Sequence, residues 1–323
     1  MKTLLSFVIP CYRSELTIEK VINEIIDTVS GRENYDYEII CVNDCSPDNV
    51  IDVLKKLADG NSKIKIIDFA KNMGKDAAIL AGYAYINGEY VVNIDDDFQC
   101  PVYELWRLLE PVENNECDFS TANYYTKKQS RFKNFGSNVN MFMTSIMLDK
   151  PSNLRFENFS IFKRFVADEI RKYDKPYPYI EGLVFRVTKR VTVVMMEERE
   201  RGDNKSTGFT FKKSFSLWLN GFTSFSVKPL RISSFLGFVL AVIGFIACIV
   251  ISIGKILDPS VPAGYTSLIA VLLLIGGIIM IILGLIGEYI GRIYICLNNS
   301  PQYVIKDTVN IKKNSSESNF GKI

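Results

Sequence analysis

The sequence predicts an α/β protein: a mostly parallel, three-layer sheet domain, then juxtamembrane amphipathic helices and two transmembrane helices. Three observations carry this expectation. Apolar runs LSFVIP, YEIICVND, IKIIDFA and YVVNIDDD alternate with the helical patterns TIEKVINEIIDTV, VIDVLKKLA and DAAILAGYAYING, and strands alternating with helices build parallel sheets from βα units. Ser233–Gly254 and Pro259–Gly287 contain no charged residue, and each is long enough to cross a hydrocarbon core of about 30 Å. Finally, 38 Lys+Arg against 36 Asp+Glu leave a formal charge of +2, which provides no basic field for nucleic acid, while 23% charged residues is too many for a chain embedded throughout in lipid.

Taken in chain order, MKTLLSFVIPCYRSE is too polar after its short apolar run for a secretory signal, and VIP reads as a buried strand entering a loop. The sheet domain is therefore expected at residues 1–208, in the cytoplasm, and FTFKKSFSLWLNGFTSFSVKPLRI is expected to supply interfacial amphipathic helices over 209–231. The spans occupy about 232–255 and 264–290 within 232–292. Lys212, Lys213, Lys228 and Arg231 precede the first and Arg292 follows the second, whereas the connector GKILDPSVPAGY has one Lys and one Asp. Both ends of the pair thus face the cytoplasm. The remaining 293–323 form a cytoplasmic tail whose polar KDTVNIKKNSSESNFGKI is expected to lack structure.

Composition narrows the chemistry. No His is present, which removes His-based triads, His-ligated zinc and haem-His sites. Cys11, Cys41, Cys45, Cys100, Cys117, Cys248 and Cys296 are odd in number and lie mostly in apolar contexts, as expected of free thiols in a reducing compartment. Cys41 and Cys45 lack a second pair for zinc and are assigned to core packing.

In parallel sheets ligands bind beyond the carboxyl ends of strands, where this sequence sets Pro10–Glu15, Asn43–Asp48 and Asp95–Asp97. Neither a Gly-x-Gly-x-x-Gly turn nor a Gly-Lys-Ser/Thr loop occurs there. Three consecutive carboxylates repel one another unless a cation or donors neutralise them. In extended chain Asp95 and Asp97 share one side, an arrangement suited to Mg²⁺ or Mn²⁺ bridging two phosphates. A solvated acidic loop has the same composition; the position after three βα units favours the cation.

VIPCYRSE at 8–15, VNDCSPD at 42–48, KNMGKDAAILAG at 71–82 and NIDDDFQCP at 93–101, in that order and followed by two spans, resemble the family 2 glycosyltransferases of the GT-A fold. The resemblance is to the membrane-anchored branch that moves sugars from nucleotides to polyprenyl phosphate, and it extends to about residue 305. It implies that Pro10, Tyr12, Glu15, Asp44, Lys75, Asp96 and Gln99 hold the nucleotide-sugar, that Asp95 and Asp97 bind Mg²⁺ or Mn²⁺ and the diphosphate, and that Glu157 and Asn158 occupy the acceptor-side catalytic motif. Arg131, Lys133, Arg201, Lys205 and Ser206 are candidates for the acceptor phosphate; a solvated basic loop suits any one of them equally. Asn43, Cys45 and Arg13 depart from the family's Asp, Gly and Asn.

The implied partners are a nucleotide-sugar, UDP before GDP, polyprenyl phosphate and the bilayer, with no nucleic acid. A homo-tetramer is compatible with the glycines of the spans, Gly276, Gly277, Gly284 and Gly287. Two other readings share parts of the pattern: a processive polysaccharide synthase, and a membrane-tethered scaffold that binds without turnover. The first normally carries a Gln-x-x-Arg-Trp segment, in which neither Trp106 nor Trp218 sits.

Overall fold

The structure, a computed structural model, describes residues 2–124, 157–176, 178–197, 199, 264–298 and 301–311, with scattered positions between 235 and 253. It divides into two units, and the chain leaves the first after residue 208 and re-enters it at residue 300.

The first unit opens with the expected βα units: β1 (Thr3–Cys11), α1 (Ile18–Ser30), β2 (Tyr35–Asn43), α2 (Val50–Gly60), β3 (Ile64–Phe69), α3 (Lys75–Tyr83) and β4 (Tyr90–Asn93). Then come α4 (Leu105–Glu113), β5 (Phe119–Tyr124), β6 (Ser160–Lys163), α5 (Arg164–Ile170), α6 (Ile180–Val187), β7 (Val191–Met196) and, near the C-terminus, β8 (Ile305–Val309). The strands form one sheet in the order β7-β5-β6-β4-β1-β2-β3-β8. Its centre is parallel, as expected, with β1 between β4 and β2 and with β2 beside β3. The flanks make it a mixed sheet: β6 runs antiparallel to β4 and β5, and β8 antiparallel to β3.

Period-2 alternation along β1 sends Phe7, Ile9 and Cys11 into the core shared with α1 and α2, and Val8 to the face covered by α3. On α1 the buried residues Ile18, Val21, Ile22, Ile25 and Val29 recur every three or four positions, one stripe of an amphipathic helix. Helix α3 is buried from Ala77 to Tyr83, and it approaches so closely that a Cβ on Gly82 would lie 2.5 Å from Val8 Cγ1. The chain first steps from β1 to β2 and β3, then returns through α3 to β4 on the other side of β1. This reversal opens a crevice between the carboxyl ends of β1 and β4.

Two expectations change. The helical pattern runs on to Gly88, but α3 ends at Tyr83, because the buried Glu38 carboxylate captures the Asn87 backbone N–H and the Ser6 hydroxyl takes that of Gly88 at 2.8 Å. Lys65 balances Glu38 at 2.6 Å. Residues 312–323 lie outside the described residues, while the start of the tail segment expected to lack structure forms β8 with Ile305. There Tyr303 stacks on Phe69 at 5.5 Å, Val304 accepts the Ala70 N–H at 2.9 Å, and Asn310 caps the carbonyls of Ala58 and Ile64 at 3.0 and 2.9 Å.

In the second unit α7 (Tyr265–Leu297) continues beyond the expected span end at residue 290; its part Ile275–Leu297 has a mean hydropathy of 1.9 and is long and apolar enough to cross a membrane. The described positions between 235 and 253 are helical as well. Phe235, Ile243, Phe245, Ile246 and Ile253 are exposed there, and Ile282 of α7 comes within 4.0 Å of a Cβ placed on Gly237. The expected amphipathic segment 209–231 lies outside the described residues.

Space alone fixes Gly88, since a Cβ would lie 2.6 Å from the Leu4 carbonyl oxygen and 2.8 Å from the Ser6 nitrogen, both backbone atoms that cannot rotate away. Gly88→Ala is expected to destabilise the sheet domain by about 3 kcal/mol, read as a lowered thermal midpoint of detergent-solubilised protein. Gly60→Ala, with nothing within 4 Å, should leave the midpoint unchanged.

Candidate active site

The loops after β1 and β2 are joined to each other before any ligand is considered. Asp44 donates its N–H to the Cys11 carbonyl at 3.1 Å, Arg13 its N–H to Ser46 Oγ at 2.7 Å, and Glu15 its N–H to Asp48 Oδ2 at 3.0 Å. Arg13 and Cys45 take left-handed backbone, φ 59° and 49°, the conformation that Asn and Gly adopt most readily. These are the two positions where the resemblance calls for Asn and Gly. Cys45 is exposed, so its assignment to core packing is corrected, whereas Cys41 is buried.

Asn43 also has a local reason. Its amide donates to Asp68 at 2.7 Å in the interior, and its oxygen accepts from Ser46 N–H at 3.2 Å. An Asp there would set two buried carboxylates against each other. Pro10 is buried at the end of β1, in register with Val42. Glu15, the other residue expected at the nucleotide, accepts the Asn49 N–H at 3.2 Å, at the start of α2.

Asp44 is buried, only 4% exposed. Burial raises its carboxyl pKa, and the N–H groups of Met73 at 2.6 Å and Gly74 at 2.9 Å hold it down. The turn so gripped needs Gly74 at φ 90°, and it delivers Lys75 to the crevice. The Lys75 ammonium pairs with Asp95 Oδ1. On the other oxygen of Asp95, Oδ2, the amide of Asn158 donates at 2.9 Å. Strand pairing explains that contact: β4 and β6 are antiparallel with Asn93 opposite Ser160, and continuing the register past the strand ends sets Asn158 opposite Asp95. Glu157 is fixed through its backbone, whose N–H and carbonyl both bond the Thr121 hydroxyl, at 3.2 and 3.1 Å.

The three aspartates diverge rather than crowd. Asp96 turns to the β1 loop, where it accepts the Tyr12 N–H at 2.8 Å, and burial pushes its pKa up to about 6. The Asp96 carbonyl receives the Thr17 hydroxyl at 2.6 Å. Asp97 accepts the N–H of Gln99 at 3.1 Å. Among the described residues no cluster of three acidic or Cys side chains surrounds a single point. Asp95 and Asp97 nevertheless offer the hard oxygen donors that Mg²⁺ and Mn²⁺ take, with ligand phosphates and water completing the shell. The donor set fits such an ion, and Lys75 supplies positive charge at Asp95.

The sequence-predicted residues Tyr12, Asp44, Lys75, Asp95, Asp96, Asp97, Gln99 and Asn158 therefore meet around one crevice. Arg131, Lys133, Arg201, Lys205 and Ser206 lie outside the described residues. Sequence reasoning missed the ion pair of Arg199 with Glu24, two residues 175 positions apart with no motif between them.

A sheet that switches at β1/β4, with its acidic loop at that point, invites comparison with known proteins. Residues 6–171 match Glycosyl transferase family 2, and residues 228–293 match the GtrB C-terminal hairpin. The chain is a family 2 glycosyltransferase. It is 29% identical to a prophage bactoprenol glucosyl transferase homolog of Escherichia coli, covering 94% of this chain and 98% of that one. It is likewise 29% identical to an undecaprenyl-phosphate 4-deoxy-4-formamido-L-arabinose transferase of Proteus mirabilis, over 95% and 94% of the two chains. Among solved structures, glucosyl-3-phosphoglycerate synthase of Mycobacterium tuberculosis, in complex with Mn²⁺, UDP and phosphoglyceric acid, shares the fold. The TM-score is 0.52 at 17% identity, covering 68% of this glycosyltransferase and 76% of that chain.

Asp76, beside Lys75, provides a pH signature. Burial raises its pKa from 3.8 to about 6, partly opposed by the Lys75 charge and by the Ile180 N–H it accepts. A carboxyl raised on folding is charged unfavourably in the native state. The cost is therefore absent below pH 3.8, grows as pH rises towards 6 and is complete above it. Asp76→Asn keeps an acceptor for Ile180 and is expected to stabilise the glycosyltransferase by up to about 3 kcal/mol at neutral pH. Thermal midpoints measured from mildly acidic to neutral pH should show this gain shrinking on acidification.

Proposed function

We propose that this glycosyltransferase transfers a sugar from a nucleotide-sugar, UDP before GDP, to polyprenyl phosphate at the cytoplasmic face of a membrane, with inversion at the anomeric carbon. The observation that carries the reading is the Asp95–Asn158 contact. An alcohol acceptor needs a general base near its hydroxyl. In the motif that the resemblance assigns to the acceptor, the side chain bonded to Asp95 is an amide, Asn158, and among the described residues Asp44, Asp95, Asp96 and Asp97 each accept from a protein donor, which leaves Glu157 as the one carboxylate of that motif. A phosphomonoester needs no base, because with a second pKa of about 6 it arrives as a nucleophilic anion at neutral pH. The names of the bactoprenol and undecaprenyl-phosphate relatives point to the same acceptor class.

In the single displacement, an acceptor phosphate oxygen forms a bond to the anomeric carbon. The bond from that carbon to the diphosphate oxygen breaks, and its electron pair leaves with the nucleotide. Lys75 offers a point charge where negative charge grows on the leaving diphosphate. Asp44 fixes that lysine by gripping the turn before it, and Asp96 fixes the Tyr12 loop. A divalent cation held by Asp95 and Asp97 would add Lewis-acid stabilisation of the same leaving group; the Mn²⁺ and UDP of the solved relative are the precedent for both ion and nucleotide.

Membrane placement with two spans is supported by connectivity. Residues 149–208 and 300–323 belong to one folded unit, so a chain that crosses a bilayer between them crosses an even number of times. If α7 spans, a second crossing lies between residues 209 and 264, where the helical positions 235–253 expose large apolar side chains.

Purified glycosyltransferase given radiolabelled nucleotide-sugars and Mg²⁺ or Mn²⁺ is expected to move label into the organic phase with polyprenyl phosphate but not with the uncharged polyprenol. Turnover of the alcohol at a comparable rate, or product of retained anomeric configuration, would contradict the mechanism. Asp97→Ala, Lys75→Met and EDTA should each lower transfer at least about 100-fold, measured in the same extraction assay, while membrane insertion stays unchanged.

A further inference from the structure

Phe98 follows the three aspartates with φ 63°, a left-handed conformation that is unfavourable for a bulky residue. Such a bend persists only where its surroundings hold it, and Arg199 does so from several directions. Its guanidinium carbon lies 4.2 Å from the centroid of the Phe98 ring, and its backbone N–H donates to the Gln99 carbonyl at 3.3 Å. Both terminal nitrogens of the fork engage Glu24 of α1, at 2.8 and 2.8 Å. The pair is mostly sheltered, with side-chain exposures of 27% and 18%, so the planar two-point geometry is worth more than a surface ion pair.

We infer that Arg199, braced by Glu24, is a positioning residue: it clamps the strained Phe98 turn so that the Asp97 carboxylate, which accepts the Gln99 N–H, is held in its working orientation. Glu24 brings the negative charge that keeps the guanidinium on the Phe98 face instead of among the aspartates. The clamp also ties the aspartate loop to the chain just before Arg201 and Lys205. The catalytic consequence rests on the reading of Asp97 given above; the mechanical one does not.

The test uses the full-length protein in detergent and compares Arg199→Met, Arg199→Lys and Glu24→Gln with the parent by hydrogen exchange and by transfer kinetics. Arg199→Met is expected to speed exchange at least tenfold in peptides covering 95–101 while β1 and β2 keep their protection. It should lower kcat at least tenfold and leave the donor KM within about threefold, because the loops around Asp44 are untouched. Arg199→Lys, which keeps a cation between Glu24 and the Phe98 ring, should recover part of both effects; Glu24→Gln should show a weaker version of each. Unchanged exchange at 95–101 in Arg199→Met, or acceleration spread evenly over the sheet, overturns the clamp. A parent that transfers no sugar sinks the functional reading alone, since exchange still reports on the loop; local exchange with an undiminished kcat removes the positioning role.

Discussion

Three consecutive carboxylates end β4, and the site depends on each being neutralised by a different part of the chain. Asp95 is shared between an ammonium and an amide, Asp96 is taken by the backbone of the β1 loop, and Asp97 by the N–H of its own turn. Separation of this kind offsets part of the repulsion that the bare sequence DDD implies; the charges of Asp95 and Asp97 still help burial to raise the Asp96 pKa. It also joins the loops to one another, since the groups that satisfy the charges come from β1, the turn before α3 and the approach to β6. The crevice is thus held together by the same contacts that make its acidity tolerable. A nucleotide or cation would find those loops already linked.

Much of the parallel centre could be read from the chain because it rests on local signals. Period-2 strands, amphipathic α1 and α2 and the polar residues at strand ends are properties of short windows, and the structure returns them nearly at the expected limits. What escaped depends on partners distant in sequence. The helical pattern DAAILAGYAYING runs past the end of α3 because nothing in that window announces that Glu38 will capture the N–H of Asn87. The polar IKDTV segment carries weak strand character, and it becomes β8 only because β3 offers an unpaired edge, Phe69 a ring to stack on and Asp68 a charge 3.5 Å from Lys306. Arg199 and Glu24 left no trace at all, being an ordinary arginine and an ordinary helix-surface glutamate until the fold joins them.

The departures from the family pattern were legible as departures but not as compensations. Asn43 looked like a lost carboxylate; with Asp68 beside it, an amide is the group that can donate there. Asn158, which stands where the family resembled often carries Asp, is the same case beside Asp95. A carboxylate facing Asp95 Oδ2 would repel it, whereas the amide gives Asp95 a second donor. Both substitutions lower the count of negative charges around the crevice without removing a hydrogen bond. For the two anionic substrates of the proposed reaction, that matters more than retaining an extra base.

The chain's return to the sheet adds a constraint of its own. A hairpin that merely anchored the enzyme could end in solvent, yet here the residues after α7 re-enter the first unit and extend the sheet beyond β3 through β8. Lys306 meets Asp68, Asp68 accepts from Asn43, and Asn43 accepts from the N–H of Ser46, whose hydroxyl receives the Arg13 N–H. The last strand is thus coupled by direct contacts to the loops that face the crevice. Any motion that strips β8 from β3 exposes the Asp68 carboxylate and withdraws its positive partner, weakening the acceptor that keeps Asn43 turned inward. Closing the sheet with a strand from beyond the hairpin makes correct connectivity of the apolar segment a condition for completing the β1-β2-β3 half of the sheet, which a tail that only followed the hairpin would not do.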